Sequence, residues 1–105
     1  MAKNESWSDT EIRASLECYT AMVLLEHAGI GFSKADFRRL VEGMLAGRSE
    51  KAIDFKWCNV SAILEESGFS YLSAYKPMEH YQERLRELTG VWMLEHPLLR
   101  KLLSG

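Results

Sequence analysis

Proline and cysteine are scarce in this chain, with two of each among 105 residues. So few prolines leave helices free to run long. Cys18 and Cys58 lie far apart without a Cys-x-x-Cys partner. That excludes a disulfide framework and fits reduced thiols in a cytoplasmic protein. Long apolar runs are also missing. The longest clean one, Ala21 to Leu25, is far too short to span a bilayer, so no membrane partner is expected. The start, Met1-Ala2-Lys3-Asn4-Glu5, lacks the apolar centre of a signal peptide. The sequon Asn59-Val60-Ser61 lies inside a predicted helix of a cytoplasmic chain and is discounted.

Catalytic motifs are missing as well. None of His27, His80 and His96 stands at ligand spacing from another histidine or a cysteine, which argues against a zinc site. There is no phosphate-cradling G-x-x-x-x-G-K-[ST] loop and no G-x-S-x-G nucleophile elbow. Gly29-Ile30-Gly31 follows a helix, not a strand. Cys18 sits on an apolar stretch with no positioned base. The reading is a non-enzyme with no catalytic residues, no metal and no cofactor.

What is present describes one globular domain. The hydrophobic fraction is 47% and the charged fraction 27%, outside the disordered range. Residues 1–6 read as a tail and 7–105 as a single helical domain. The net charge of −2 is unevenly spread. Residues 1–33 carry two bases and five acids, net −3. Residues 34–56 carry six bases and four acids, net +2, and the remainder is net −1. Such a balance does not advertise phosphate binding. Any nucleic-acid contact must come from the central segment.

Helical punctuation is clear. Ser8-Asp9-Thr10-Glu11 is a capping box, with Trp7 and Ile12 at the staple positions. Ile12, Leu16, Tyr19 and Val23 recur at helical spacing until Gly29 and Gly31. Ser33 starts a second helix, with Phe32 and Phe37 as staple and an apolar stripe of Phe37, Leu40, Val41, Met44 and Leu45, ending at Gly47. Ser49 caps a third helix that runs to Ser67 and stops at Gly68. Ile53, Trp57, Val60 and Leu64 form its core stripe, and Lys51, Phe55, Cys58 and Ala62 its mixed back face. Pro77 suits the first turn of a fourth helix. Along it Met78, Tyr81, Leu85, Leu88 and Trp92 make a heptad-like seam, interrupted by Gly90. Pro97 sets off a short Leu98–Leu103 helix. The expected fold is all-α: a compact bundle of four main helices, with a helix-turn-helix-like central part and a short C-terminal helix.

A Ser-capped helix start offers free N–H groups and a positive dipole end to phosphate. Arg48, Ser49, Lys51 and Lys56 are therefore nucleic-acid candidates, together with Arg38 and Lys76. Asn59 is the candidate for a bidentate contact to adenine. A competing reading is purely structural. In it Arg48 covers a neighbouring helix end, Lys51 pairs with Glu50 or Asp54, and Asn59 bonds backbone. A protein partner or a homodimer is the other expectation, through the Met78–Trp92 seam and the Leu98–Leu103 segment, with Phe55, Leu88, Trp92 and Leu99 as its residues. Its structural counterpart is that the seam simply closes the core.

Trp7-Ser8-Asp9-Thr10-Glu11, a second amphipathic helix, and Gly47-Arg48-Ser49 opening a third resemble the layout of Myb/SANT domains. A longer stretch resembles the N-terminal helical head of McrA-like, HNH-containing restriction endonucleases. It comprises Arg48-Ser49, Ala52-Ile53, Phe55-Lys56 and Asn59-Val60-Ser61-Ala62-Ile63-Leu64, followed by Gly68, Tyr75-Lys76-Pro77 and Tyr81-Gln82. This second resemblance spans residues 7–85. It implies a non-catalytic module that helps a bacterial restriction or defence nuclease engage DNA, often modified DNA. The His-Asn-His nuclease motif itself is absent from the sequence. The chain is then either an excised domain or a free-standing relative. In the free-standing case it would regulate or inhibit a defence complex by binding protein, as a bacterial or phage product.

Overall fold

The structure is a computed structural model that describes residues 7–45 and 47–104. The proposed tail, residues 1–6, lies outside the described residues. Among the described residues there are five helices: α1 (Asp9–His27), α2 (Lys34–Glu42), α3 (Glu50–Glu66), α4 (Glu83–Glu95) and α5 (Pro97–Leu103). Among the described residues there is no strand. The expected all-α bundle is what forms.

The serines do what their positions predict. The Oγ atoms of Ser8, Ser33 and Ser49 accept from the N–H groups of Glu11, Asp36 and Ala52 at 3.2, 3.2 and 3.1 Å. Each bond satisfies an N–H that the helix itself cannot. Glu11 completes the box by accepting from the Ser8 N–H at 2.8 Å. At the other ends, α1 and α3 close in the same way. Gly29 (φ 74°) donates to Glu26 O and Ile30 to Leu25 O. Gly68 (φ 86°) donates to Glu65 O and Phe69 to Leu64 O. These crossed bonds need a left-handed residue, which glycine supplies without a Cβ penalty.

Helix α1 is the hub and packs against each of the other four helices. Its buried residues Ile12, Leu16, Tyr19, Met22 and Val23 meet Ile53, Trp57, Val60 and Leu64 of α3 and Leu85, Leu88 and Trp92 of α4 in one core. Two polar ties fix the depth of this packing. Trp57 Nε1 donates to Ser15 O at 3.0 Å. The Tyr19 hydroxyl accepts from Leu72 N–H at 2.9 Å and shares a hydrogen bond with the Ser61 hydroxyl at 2.8 Å.

Residues 67–82 join α3 to α4 without regular structure, yet Leu72 and Tyr75 are buried. Backbone and side-chain hydrogen bonds together hold this segment against the core. Met78 N–H donates to Cys58 O at 3.1 Å, and Asn59 Nδ2 donates to Met78 O at 2.5 Å. The backbone of residue 78 is thus gripped on both sides. Gln82 repeats the device: its Oε1 accepts from Trp7 N–H at 3.0 Å and its Nε2 donates to Trp7 O at 3.2 Å.

Two boundaries differ from expectation. Helix α2 ends at Glu42, not at Gly47. After it, Met44 N–H bonds Val41 O and Leu45 N–H bonds Glu42 O. This tighter turn buries Leu45 but leaves Leu40 and Met44 of the expected stripe exposed. Helix α4 begins at Glu83, not at Pro77. The clamp from α3 takes the backbone groups of residue 78, and His80 sits at φ 70°, a conformation a helix cannot contain. Met78 is therefore exposed, and the seam begins in earnest at Leu85.

Tyr19→Phe should cost about 1–3 kcal/mol, because it strands the buried Leu72 N–H and the Ser61 hydroxyl. Urea denaturation measures this. In a cycle with Ser61→Ala the two losses should be less than additive.

Candidate functional site

The expected nucleic-acid site is the start of α3, and its cations turn inward. The Arg48 guanidinium forms a two-point pair with the Glu11 carboxylate, Nε–Oε2 3.1 Å and Nη2–Oε1 2.9 Å. It also lies 4.9 Å from the centre of the Trp7 ring. Lys56 Nζ lies at the same distance, 4.9 Å, from that ring. Lys56 is only 8% exposed. Trp7, Glu11, Arg48 and Lys56 thus form one cluster that ties the cap of α1 to the first turns of α3. Cation–π attraction is strengthened where water is excluded. Arg48 beside it holds the Glu11 carboxyl below its ordinary value. Burial, reinforced by the positive charge of Arg48, pushes the Lys56 amine down to about 8.

The other candidates divide. Arg38 Nη1 donates to both oxygens of Asp54, at 3.2 and 3.1 Å. Asp54 also accepts from Tyr75 Oη at 3.3 Å, and burial pushes the Tyr75 hydroxyl well up. Asn59 has no exposed surface, and its amide is spent on Met78. It therefore cannot meet a base, which corrects that expectation. Lys56 is equally removed from phosphate by burial, and Arg48 is mostly covered. Ser49, Lys51 and Lys76 remain exposed, although Ser49 Oγ is already the helix cap. Lys51 makes no ion pair with Glu50 or Asp54; the cation facing those acids is Arg38.

The expected partner-binding residues need a similar correction. Leu88, Trp92 and Leu99 are buried in the shared core. Trp92 Nε1 donates to Thr20 Oγ1 at 2.9 Å, and its ring stacks on His96 at 4.1 Å. Of that set only Phe55 reaches the surface. Of the apolar side chains that face outward most, Leu98 belongs to the expected Leu98–Leu103 segment, whereas Leu94 and Leu40 were missed. Leu94 is 71% exposed, Leu98 65% and Leu40 61%. Leu94 lies off the 85–88–92 seam, a mismatch visible in the spacing itself.

Among the described residues, two surface hollows stand out. One, of about 360 Å³, lies beside Gly29, Ile30 and Phe32 and is bordered by Glu26 and Ser73, which already bond each other. The other, about 250 Å³, runs between α3 and α4 and is lined by Ile63, Leu64, Phe69, Thr89, Gly90, Met93, Leu94 and Arg100, among others. Among the described residues, no group of three histidine, cysteine or carboxylate side chains could hold a metal ion. Burial pushes both the Cys18 and Cys58 thiols up, which makes them poor nucleophiles. No described helix is long and apolar enough to cross a membrane. No protein-family model, curated protein or solved structure matches this chain.

Two pH effects follow from the Trp7 cluster. The Glu11 carboxyl is lower in the folded state than its ordinary 4.5. Its contribution is therefore present above that value and lost as pH falls through the folded value. The stability gap between wild type and Glu11→Gln should be open at pH 6 and close in acid. For Lys56 the folded value, about 8, lies below the ordinary 10.5. Between those two values the unfolded chain binds more protons, so stability rises with pH. Lys56→Met should be more stable than wild type at pH 7, by on the order of 1–3 kcal/mol. That advantage should shrink as pH approaches 10.

Proposed function

We propose that this chain is a non-catalytic protein-interaction module that works through the apolar surface of α4 and α5. The observation that carries this reading is the exposure of Val91 and Leu94 on α4 and of Leu98 on α5, with Leu94 at the lip of a largely apolar groove. Side chains of this size contribute most when a partner removes them from water. The cations that would compete as a functional surface are instead committed within the fold: Arg48 to Glu11, Arg38 to Asp54 and Lys56 to the Trp7 ring. A regulator or inhibitor acting by contact fits this distribution.

Selection from a random-peptide display library on the intact chain tests the reading. Enriched peptides should lose at least tenfold in affinity to Leu94→Glu or Leu98→Glu. Both variants should keep their stability within about 0.5 kcal/mol of wild type, as exposed substitutions do. Failure to enrich any peptide, or affinities that ignore both substitutions, would overturn it.

A second reading, DNA contact in association with a restriction or defence nuclease, keeps one observation in its favour. Lys51 and Lys76 are exposed and form no ion pair with a described residue. Arg48→Ala would test it badly, since that substitution strands Glu11. The clean variant is Lys51→Ala with Lys76→Ala. If these lysines meet phosphates, it should lower the salt slope of a mobility-shift series by about 0.9 per contact. An unchanged slope removes this reading.

A further inference from the structure

We propose that the groove between α3 and α4 seats one bulky apolar side chain from a partner protein segment, with an acidic residue of that segment held at Arg100. This rests on the protein-binding reading and adds the site and the partner's chemistry. The walls are Ile63, Leu64, Phe69, Met93 and the exposed lip Leu94. Their chemistry selects an apolar anchor. The volume, about 250 Å³, falls below the roughly 300–1,000 Å³ of small-molecule pockets. One side chain of a longer segment fits that size better than a free ligand.

Three independent features point to an occupant. Thr89 is 2% exposed, lines the groove, and its Oγ1 has no hydrogen-bond partner among the described residues. A hydroxyl left unpaired in the interior is destabilising; a main-chain group of a seated segment would pair it. Gly90 lies inside α4, where glycine weakens a helix. A Cβ built there meets nothing within 4 Å, so packing within the chain gives no reason for it. Its effect is to keep one side of the groove low enough for close approach. Arg100, on α5, is half-buried in the lining and forms no ion pair with a described residue. The other lining cation, Arg86, is already taken by Glu66 and by the Tyr81 hydroxyl. Arg100 is thus the charge left to choose a partner, and it chooses carboxylate.

The test uses the intact chain and the display-selected peptides, with affinities read by fluorescence polarisation. The selected peptides should share a Leu, Ile, Met or Phe beside an Asp or Glu. Gly90→Ala should raise the melting temperature, because it adds helix propensity without a clash, yet weaken binding at least tenfold. Arg100→Glu should weaken binding by at least tenfold and, in a repeated selection, favour basic neighbours. Thr89→Val should keep the fold and weaken binding severalfold.

Wild-type affinity in both Gly90→Ala and a folded Gly90→Leu would overturn the groove. If those peptides instead respond to Leu98→Glu alone, protein binding through α5 stands and only the groove falls. If nothing is enriched, both fall. A dimer in sedimentation that dissolves with Gly90→Leu would replace the foreign partner with a second copy and overturn the proposal as stated.

Discussion

An irregular stretch of backbone cannot lie against an apolar core unless something answers its N–H and C=O groups, and this fold is organised around meeting that demand for residues 67–82. Tyr19 answers Leu72, Asn59 and the Cys58 carbonyl answer Met78, and the Leu103 carbonyl accepts from Ser70 N–H at 2.7 Å. The helices supplying these groups, α1, α3 and α5, are thereby held in register. Gln82 then passes the chain into α4 while gripping Trp7. Gln82 donates and accepts at once, which no apolar side chain of similar size can do; Asn59 only donates, and its buried Oδ1 has no hydrogen-bond partner among the described residues.

Much of the architecture was legible from local rules. Ser8, Ser33 and Ser49 mark three helix starts, and Gly29 and Gly68 mark two ends, because caps are decided by a few neighbouring residues. The failures came where distant groups overrode local preference. Pro77 is a good first-turn residue, yet Asn59, eighteen positions earlier in the sequence, claims the backbone that a helix from Pro77 would need. The stripe through Leu40 and Met44 kept a helical period across Gly43, but the chain tightened there and turned Met44 outward.

The candidate site was less legible, for a related reason. Arg48, Lys56 and Asn59 look like recognition residues because their chemistry is right and they cluster along one helix. A sequence does not show that Glu11 and Trp7 stand opposite them. The stretch resembling the restriction-endonuclease head is largely the joinery of the domain: Trp7, Glu11, Arg48, Lys56, Asn59, Tyr75 and Gln82 all bind other parts of the chain. Leu94 was readable in principle, since it falls outside the seam that buries Leu88 and Trp92. Thr89 and Gly90 were not, because a missing partner and an unfilled space are visible only in three dimensions.

The bonds from Gln82 to Trp7 and from Arg84 to Asp9 each close a separation of 75 residues. During synthesis at about 5–20 residues per second, the first helix must wait roughly 4–15 s for these partners to be made. Through that interval Ile12, Leu16, Tyr19 and Met22 have no finished core to enter. The nascent chain therefore presents a sticky helix well before it can fold, which makes the rate of elongation and the presence of a holding chaperone determinants of yield.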